Sequence, residues 1–189
     1  MSEFTLIADE ILGATLTAHG FVRIAKEPDL AMYESTACKL AVGHDSQRSS
    51  EVFIGLNRRD AARGPDFGFD EVIRASSVPA CLQPTGYAAR DERSVRQLLE
   101  IMAKLLATYC VPLLRGDEGA WSRLVTRRDA EAARYATENR LRLALNGATE
   151  AWHAKDLATV VKFLDPVRTM LGTADRAKLE YAERKLRDA

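Results

Sequence analysis

Three histidines, three cysteines and an adjacent pair of arginines are the side chains whose chemistry would matter most in this 189-residue chain. His44 stands beside Asp45 at the end of an alternating apolar segment, where a general base could be presented near a turn. Neighbours on a strand point to opposite faces, however, so the two form no His-carboxylate dyad without a bend. His19 precedes Gly20 and His153 precedes Lys155 and Asp156, both at expected helix ends, where a cation complements the carboxyl end of the dipole. Cys38 falls on an apolar strand face and Cys110 at the end of a long helix, so both read as small core residues, while Cys81 sits in a loop and is the thiol best placed to react. Arg58-Arg59 follows the last expected strand and could fork onto a phosphate or carboxylate. Tyr33, His44, Arg58, Arg59 and Tyr87 are together the candidate lining of a ligand pocket.

Several chemistries lack their signature. Neither H-x-x-x-H, H-E-x-x-H nor a paired Cys/His spacing occurs, and Asp60, Asp66, Asp70 and Glu71 lack the alternating ligands and central glycine of a calcium loop. No metal or cofactor is therefore expected. Gly64, Gly68, Gly86, Gly116 and Gly119 never form a phosphate-cradling run, and no G-x-S-x-G elbow is present. Catalytic residues are accordingly not assigned.

Charge and composition narrow the classes further. Lys plus Arg and Asp plus Glu number 27 each, so the chain has no net charge with which to bind nucleic acid generally. No apolar run approaches the roughly 20 residues that span a bilayer. Met-Ser-Glu-Phe lacks the basic and apolar regions of a signal peptide, which makes the cytoplasm the expected location. Three cysteines without a C-x-x-C pair argue for reduced thiols. Residues 1–57 hold eight acids and four bases, whereas residues 115–142 hold seven arginines and five acids. Arginine and tryptophan dominate buried interface energetics, so Arg115, Trp121, Arg127 and Arg128 are the candidate partner-binding residues.

The elements that must position these residues follow from hydrophobic period. Phe4, Ile7, Ile11, Ala14 and Ala18 recur every three or four positions, predicting a helix over 4–18 that Gly20 ends. From Phe21 to Leu56 the pattern alternates and predicts four antiparallel strands, with turns at Pro28-Asp29 and at 45–50. Residues 57–91 read as an irregular connection in which Phe67 and Phe69 are extended and Asp70 caps a brief helix. Ser94 with Gln97 suggests a capping box ahead of the stripe Val95, Leu98, Leu99, Met102, Leu105, Leu106 and Tyr109. Beyond Leu114 only helices are expected: one carrying Trp121, one from about Ala130 to Leu145, one over Leu157–Leu164, and a last led by Thr173 with the stripe Leu179, Ala182 and Leu186.

The stretch Ala151-Trp152-His153-Ala154-Lys155-Asp156 with Leu157–Leu164 resembles half of a tetratricopeptide helix pair. More broadly, Gly20-Phe21, Tyr33-Glu34-Ser35, Leu40 through Asp45 and Glu51-Val52-Phe53-Ile54 resemble small bacterial α+β proteins that include toxin-immunity proteins and secretion chaperones. This resemblance implies a protein partner.

The expected fold is therefore α+β: an N-terminal helix, a four-stranded antiparallel meander, a long amphipathic helix, then an all-helical C-terminal part. Residues 1–114 would form the α+β domain and residues 115–189 a helical hairpin region packed on it. The expected function is a non-enzymatic protein-binding module of immunity or chaperone type. The alternative is a small enzyme or ligand-binding domain with a pocket between sheet and helical tail. A homodimer through that tail is compatible with either reading, and neither nucleic acid nor membrane is expected as a partner.

Overall fold

The computed structural model describes residues 3–27, 29–59 and 67–188. Pro28, Asp60, Gly64 and Asp66, singled out above, lie outside that set. The chain is α+β and divides into two compact units, residues 1–128 and 129–189. The cut falls after Arg128, so residues 115–128 share a unit with the sheet.

In the first unit, helix α1 (Glu3–Ala18) precedes strands β1 (Val22–Glu27), β2 (Leu30–Glu34), β3 (Cys38–Asp45), β4 (Glu51–Arg58) and β5 (Phe67–Gly68). They pair antiparallel in the order β1-β2-β3-β4-β5, a meander with one short strand more than the four expected. Alternation sorts the side chains as it should: Ala31, Tyr33, Cys38, Leu40, Val42, Val52, Ile54 and Leu56 are buried on one face. Burying an aliphatic side chain of this size contributes about 1.5–3 kcal/mol. Gly20 adopts φ +77°, the left-handed conformation that ends α1.

The buried face of α1 is turned relative to expectation. Phe4, Ile7, Ala8, Leu12 and Leu16 are buried, whereas Ala14 and Ala18 are exposed. Larger side chains win the core-facing positions because they remove more apolar area from water. Phe69, expected to be extended, opens helix α2 (Phe69–Ala75) instead. Its N-cap is Gly68 rather than Asp70, and Glu71 reaches back to accept the Gly68 amide at 2.9 Å.

Helix α3 (Glu92–Tyr109) buries Val95, Leu98, Leu99, Met102, Leu105 and Leu106 as expected, with Tyr109 half-buried at the end of the stripe. Its cap is Asp91, whose Oδ1 accepts the Ser94 amide at 2.7 Å while Ser94 Oγ accepts the Asp91 amide at 3.1 Å. Ser94 thus belongs to the capping box at its third helical position, not at its head. Helix α4 (Val111–Leu114) holds Pro112 in its first turn, where a missing N–H costs nothing. Gly116 then turns left-handed at φ +78°, and Asp117 starts α5 (Glu118–His153) by accepting the Ala120 amide at 2.7 Å.

Helix α5 replaces the two separate helices expected before His153. No glycine or proline interrupts residues 120–146, and Ala, Arg, Glu and Leu are strong helix formers, so nothing in this stretch stops the helix once begun. The second unit comprises α5 from residue 129 onward, α6 (Leu157–Leu164), a 3-10 segment over Asp165–Met170 and α7 (Thr173–Arg187). Asp156 caps α6 by accepting the Thr159 amide at 3.0 Å. Ala144, Ala148, Ala151, Val160, Leu164, Val167, Leu171, Leu179 and Ala182 make its core. Leu186 is exposed, so the stripe of α7 stops at Ala182. Trp152 is half-buried, its ring centroid 5.6 Å from that of Tyr181.

Candidate functional site

A cleft of about 510 Å³ in the first unit is lined by Thr36, Ala37, Arg58, Arg59, Arg115, Gly116, Glu118 and Trp121. Three short pieces of chain build it: the β2–β3 turn, the end of β4 and the α4–α5 corner. The turn is held by the buried Ser35, whose Oγ accepts the amides of Ala37 at 3.2 Å and Cys38 at 3.1 Å. The Arg59 amide donates to Ala37 O at 3.0 Å, which fixes the end of β4 beside the turn. Gly116 closes the corner against Ala37: a Cβ there would lie 2.8 Å from that of Ala37, so only glycine meets both the left-handed φ and the approach.

The wall under the cleft is made by core side chains. Trp121 is only 2% exposed, donates its indole N–H to Leu113 O at 3.1 Å and meets the Phe67 ring edge-on at 5.9 Å. It is a core residue whose position defines the cleft floor, not an exposed partner anchor. The Cys38 thiol lies 3.7 Å from Leu114 O, and burial pushes it up to about 11. Burial does the same for Cys110. Neither is a nucleophile at neutral pH.

Three cations face one carboxylate. Arg58 grips Glu118 with two bonds of 2.9 and 3.0 Å, and Arg59 lies 3.3 Å from Glu34 and donates to Ser35 O at 3.4 Å. Arg115 is exposed, and its guanidinium makes no hydrogen bond or ion pair among the described residues. A guanidinium fork left open beside two more arginines can receive a carboxylate or phosphate bidentately.

The other expected site residues go elsewhere. Tyr33 is buried under α1, donating to Asp9 Oδ1 at 2.7 Å; Asp9 also pairs with Arg23, and burial raises the phenol against the opposing pull of Arg23. His44 is half-buried, stacks near Phe4 and donates from Nε2 to Ala89 O at 2.9 Å, since a carbonyl only accepts. It lines a different cleft of about 220 Å³ together with Asp29, Arg90, Asp91 and Glu92. Tyr87 donates to Asp70, and its phenol is raised first by burial and then by that carboxylate. The ligand set of five thus keeps only Arg58 and Arg59, joined by Arg115 and Trp121 from the partner-binding set. Among the described residues no cluster of three His, Cys, Asp or Glu side chains is arranged to hold a metal. Gly116 and Glu118, absent from both sets, complete the cleft, and the Gly116-Asp117 turn signature next to Arg115 was their one sequence signal.

Comparison with protein-family models, curated proteins and solved structures yields no match. No residue role is carried over to this chain from a relative, and the site stands on its geometry.

Arg127 and Arg128 are engaged inside the unit. Arg127 donates to Arg74 O at 2.9 Å. Arg128 clamps Glu71 with two bonds of 2.6 Å and lies 3.8 Å over the Phe67 ring, so it ties α2 to α5. The Arg128 bonds, opposed in part by burial, hold the Glu71 carboxyl below the usual carboxylate range. A depressed carboxylate stabilises the fold fully above its unfolded value, about 4.3, and that stabilisation is lost as pH falls through the folded value. Glu71→Gln is therefore expected to cost about 1–2 kcal/mol at pH 7, between an exposed and a buried pair, and nothing once Glu71 is protonated. Urea midpoints of both proteins from pH 7 to 3 should converge on the acid side; parallel curves would contradict this role.

Proposed function

We propose that this chain is a non-enzymatic binding module that holds an acidic segment of a protein partner, as an immunity-type inhibitor or chaperone-like accessory protein would. The fork of Arg115, without a partner among the described residues and at the rim of a cleft that already contains Arg58 and Arg59, is the observation that carries the reading. Acidic charge near the N-terminus is engaged internally, Asp9 by Arg23 and Tyr33 and Glu10 by Arg96, which weighs against a basic partner docking there. The partner's carboxylates displace water from Arg115 and Arg59 and compete with Glu118 for Arg58. Rim charges of this kind steer encounter, so the association rate falls as salt rises. A free organic carboxylate or phosphate is the second reading, favoured by a cleft volume within the small-molecule range.

Affinity capture from the native cytoplasm, compared between the wild type and Arg115→Glu, separates the two. A stoichiometric partner recovered by the wild type should be lost by the variant, and Arg115→Ala should weaken its binding about fivefold, chiefly through slower association, the scale of one solvent-screened ion pair. Equal recovery by wild type and variant overturns the reading. So does the absence of any partner combined with saturable binding of citrate or phosphate, which would establish the small-molecule alternative.

A further inference from the structure

A second concavity in the first unit shares no lining residue with the arginine cleft. It encloses about 440 Å³ between α3 and the segment 81–85, and is lined by Leu82, Pro84, Ile101, Leu105 and Tyr109 with Lys104, among others. The loop wall is built rather than loose. The Val78 amide donates to Ile73 O at 3.1 Å, Gln83 Nε2 donates to Val78 O at 2.8 Å, and a 3-10 turn over Ala80–Leu82 closes between these anchors.

The opposite wall runs along the edge of the α3 core stripe, where Leu105 belongs to the core and Ile101 stands outside it. Ile101, Leu105 and Thr108 stand four and three residues apart on α3, so they share a face that joins the core stripe at Leu105 to exposed positions on either side. Ile101 is 45% exposed and Leu82 47% exposed across from it, two large apolar side chains left facing water. Lys104 is the one charged residue of the lining. Its ammonium makes no ion pair among the described residues, although Glu100 lies one turn before it on α3. The hydroxyls of Thr85 and Thr108 likewise make no hydrogen bond among the described residues.

We propose that this groove binds a small amphipathic monoanion of the medium-chain carboxylate class. The chain lies against Leu82, Ile101 and Leu105, and the carboxylate meets Lys104 with the threonine hydroxyls beside it. The volume lies in the range of small-ligand sites, and an apolar lining with a few placed polar groups is how such sites are made. A single cation matches one negative charge; a nucleotide's phosphates would need more. A wholly apolar ligand would leave the exposed Lys104 ammonium in water and gain nothing from it, whereas a carboxylate adds an ion pair at the rim.

The protein carries its own reporter. Cys81 lines the groove and is exposed, while Cys38 and Cys110 are buried, so N-ethylmaleimide reads Cys81 in the native chain. Decanoate should slow that labelling saturably. Decan-1-ol, the same chain without charge, should protect about fivefold more weakly, and Lys104→Met should raise the decanoate half-saturation by a similar factor, the scale of one solvent-screened ion pair. Ile101→Asp, on an exposed position where far-UV circular dichroism should stay unchanged, should abolish protection. Three results would each overturn the proposal: no protection by decanoate up to its solubility, equal protection by decan-1-ol in the wild type, or labelling that slows with protein concentration alone, which would mean that a second copy covers the groove.

Discussion

Trp121→Ala is expected to remove about 3–5 kcal/mol from the stability of the first unit, the cost of deleting a buried tryptophan that neighbours fill only in part. Trp121 is 2% exposed, packs on Phe67 and donates to Leu113 O, which also accepts the Gly116 amide at 3.0 Å, so truncation leaves a cavity while that carbonyl keeps one partner. Trp121→Phe keeps most of the ring and loses the indole donor; with the Gly116 amide still on Leu113 O, its expected cost is smaller, about 0.5–1.5 kcal/mol. Hydrogen exchange checks both. Amides of β3 and β4 should lose protection in Trp121→Ala, while those of α6 and α7 keep theirs. The cleft should widen with the lost floor, so any ligand of the arginine site should weaken as well. Unchanged exchange in β3 and β4 would show that Trp121 is not the keystone of this core.

Leu179→Ala should do as much damage to the second unit, with a more complete outcome. Leu179 is fully buried in a small core whose other buried members are four alanines and four branched aliphatics. Its truncation costs about 2–5 kcal/mol. A unit as short as residues 129–189 rarely commands more than about 3–5 kcal/mol in total. The substitution is therefore expected to abolish the cooperative transition of that unit at ordinary temperatures. Trp152 lies beside Tyr181 on α7 and its emission should shift to the red, whereas Trp121, in the other unit's core, should keep its spectrum. Leu179→Met, close in volume, should restore most of the loss. A Trp152 spectrum that stays native in Leu179→Ala would refute the marginality argument.

Much of this architecture is legible from period alone, because the period records which side chains must leave water. Cys38, Leu40 and Val42 alternate without interruption, and seven of eighteen positions in α3 form one stripe, so strand and helix were both unambiguous. Alanine is what blurred the rest. It is tolerated inside and outside, so Ala14 and Ala18 suggested a face for α1 that Ala8, Leu12 and Leu16 occupy instead. Helix α5 ran on because the charges at 127–131 look like a loop in composition yet are good helix formers. The fifth strand is two residues long, too short for any alternation to register.

The site was legible as residue types and illegible as a place. Arg58-Arg59 and Arg115 were marked separately, one pair for ligand and one residue for partner, because sequence distance hides that β4 ends against the α4–α5 corner. Tyr33, His44 and Tyr87 were drawn in by their chemistry, but each spends its polar atom on a partner inside the fold: Asp9, Ala89 O and Asp70. Trp121 and Arg128 show the converse. Both belong to types enriched in interfaces, and both serve the interior of their own unit.

The two rims of the meander are β1 and β5. β1 breaks its pairing with β2 between Arg23 and Ala25, and β5 offers two residues. Among the described residues, neither of these two strands supplies a straight ladder of unmet amides and carbonyls on which a foreign chain could zip. Stacking into fibrils by growth at a rim is disfavoured for the same reason, and a mutant that straightened the β1 irregularity by deleting Ile24 should aggregate faster than its parent at equal stability.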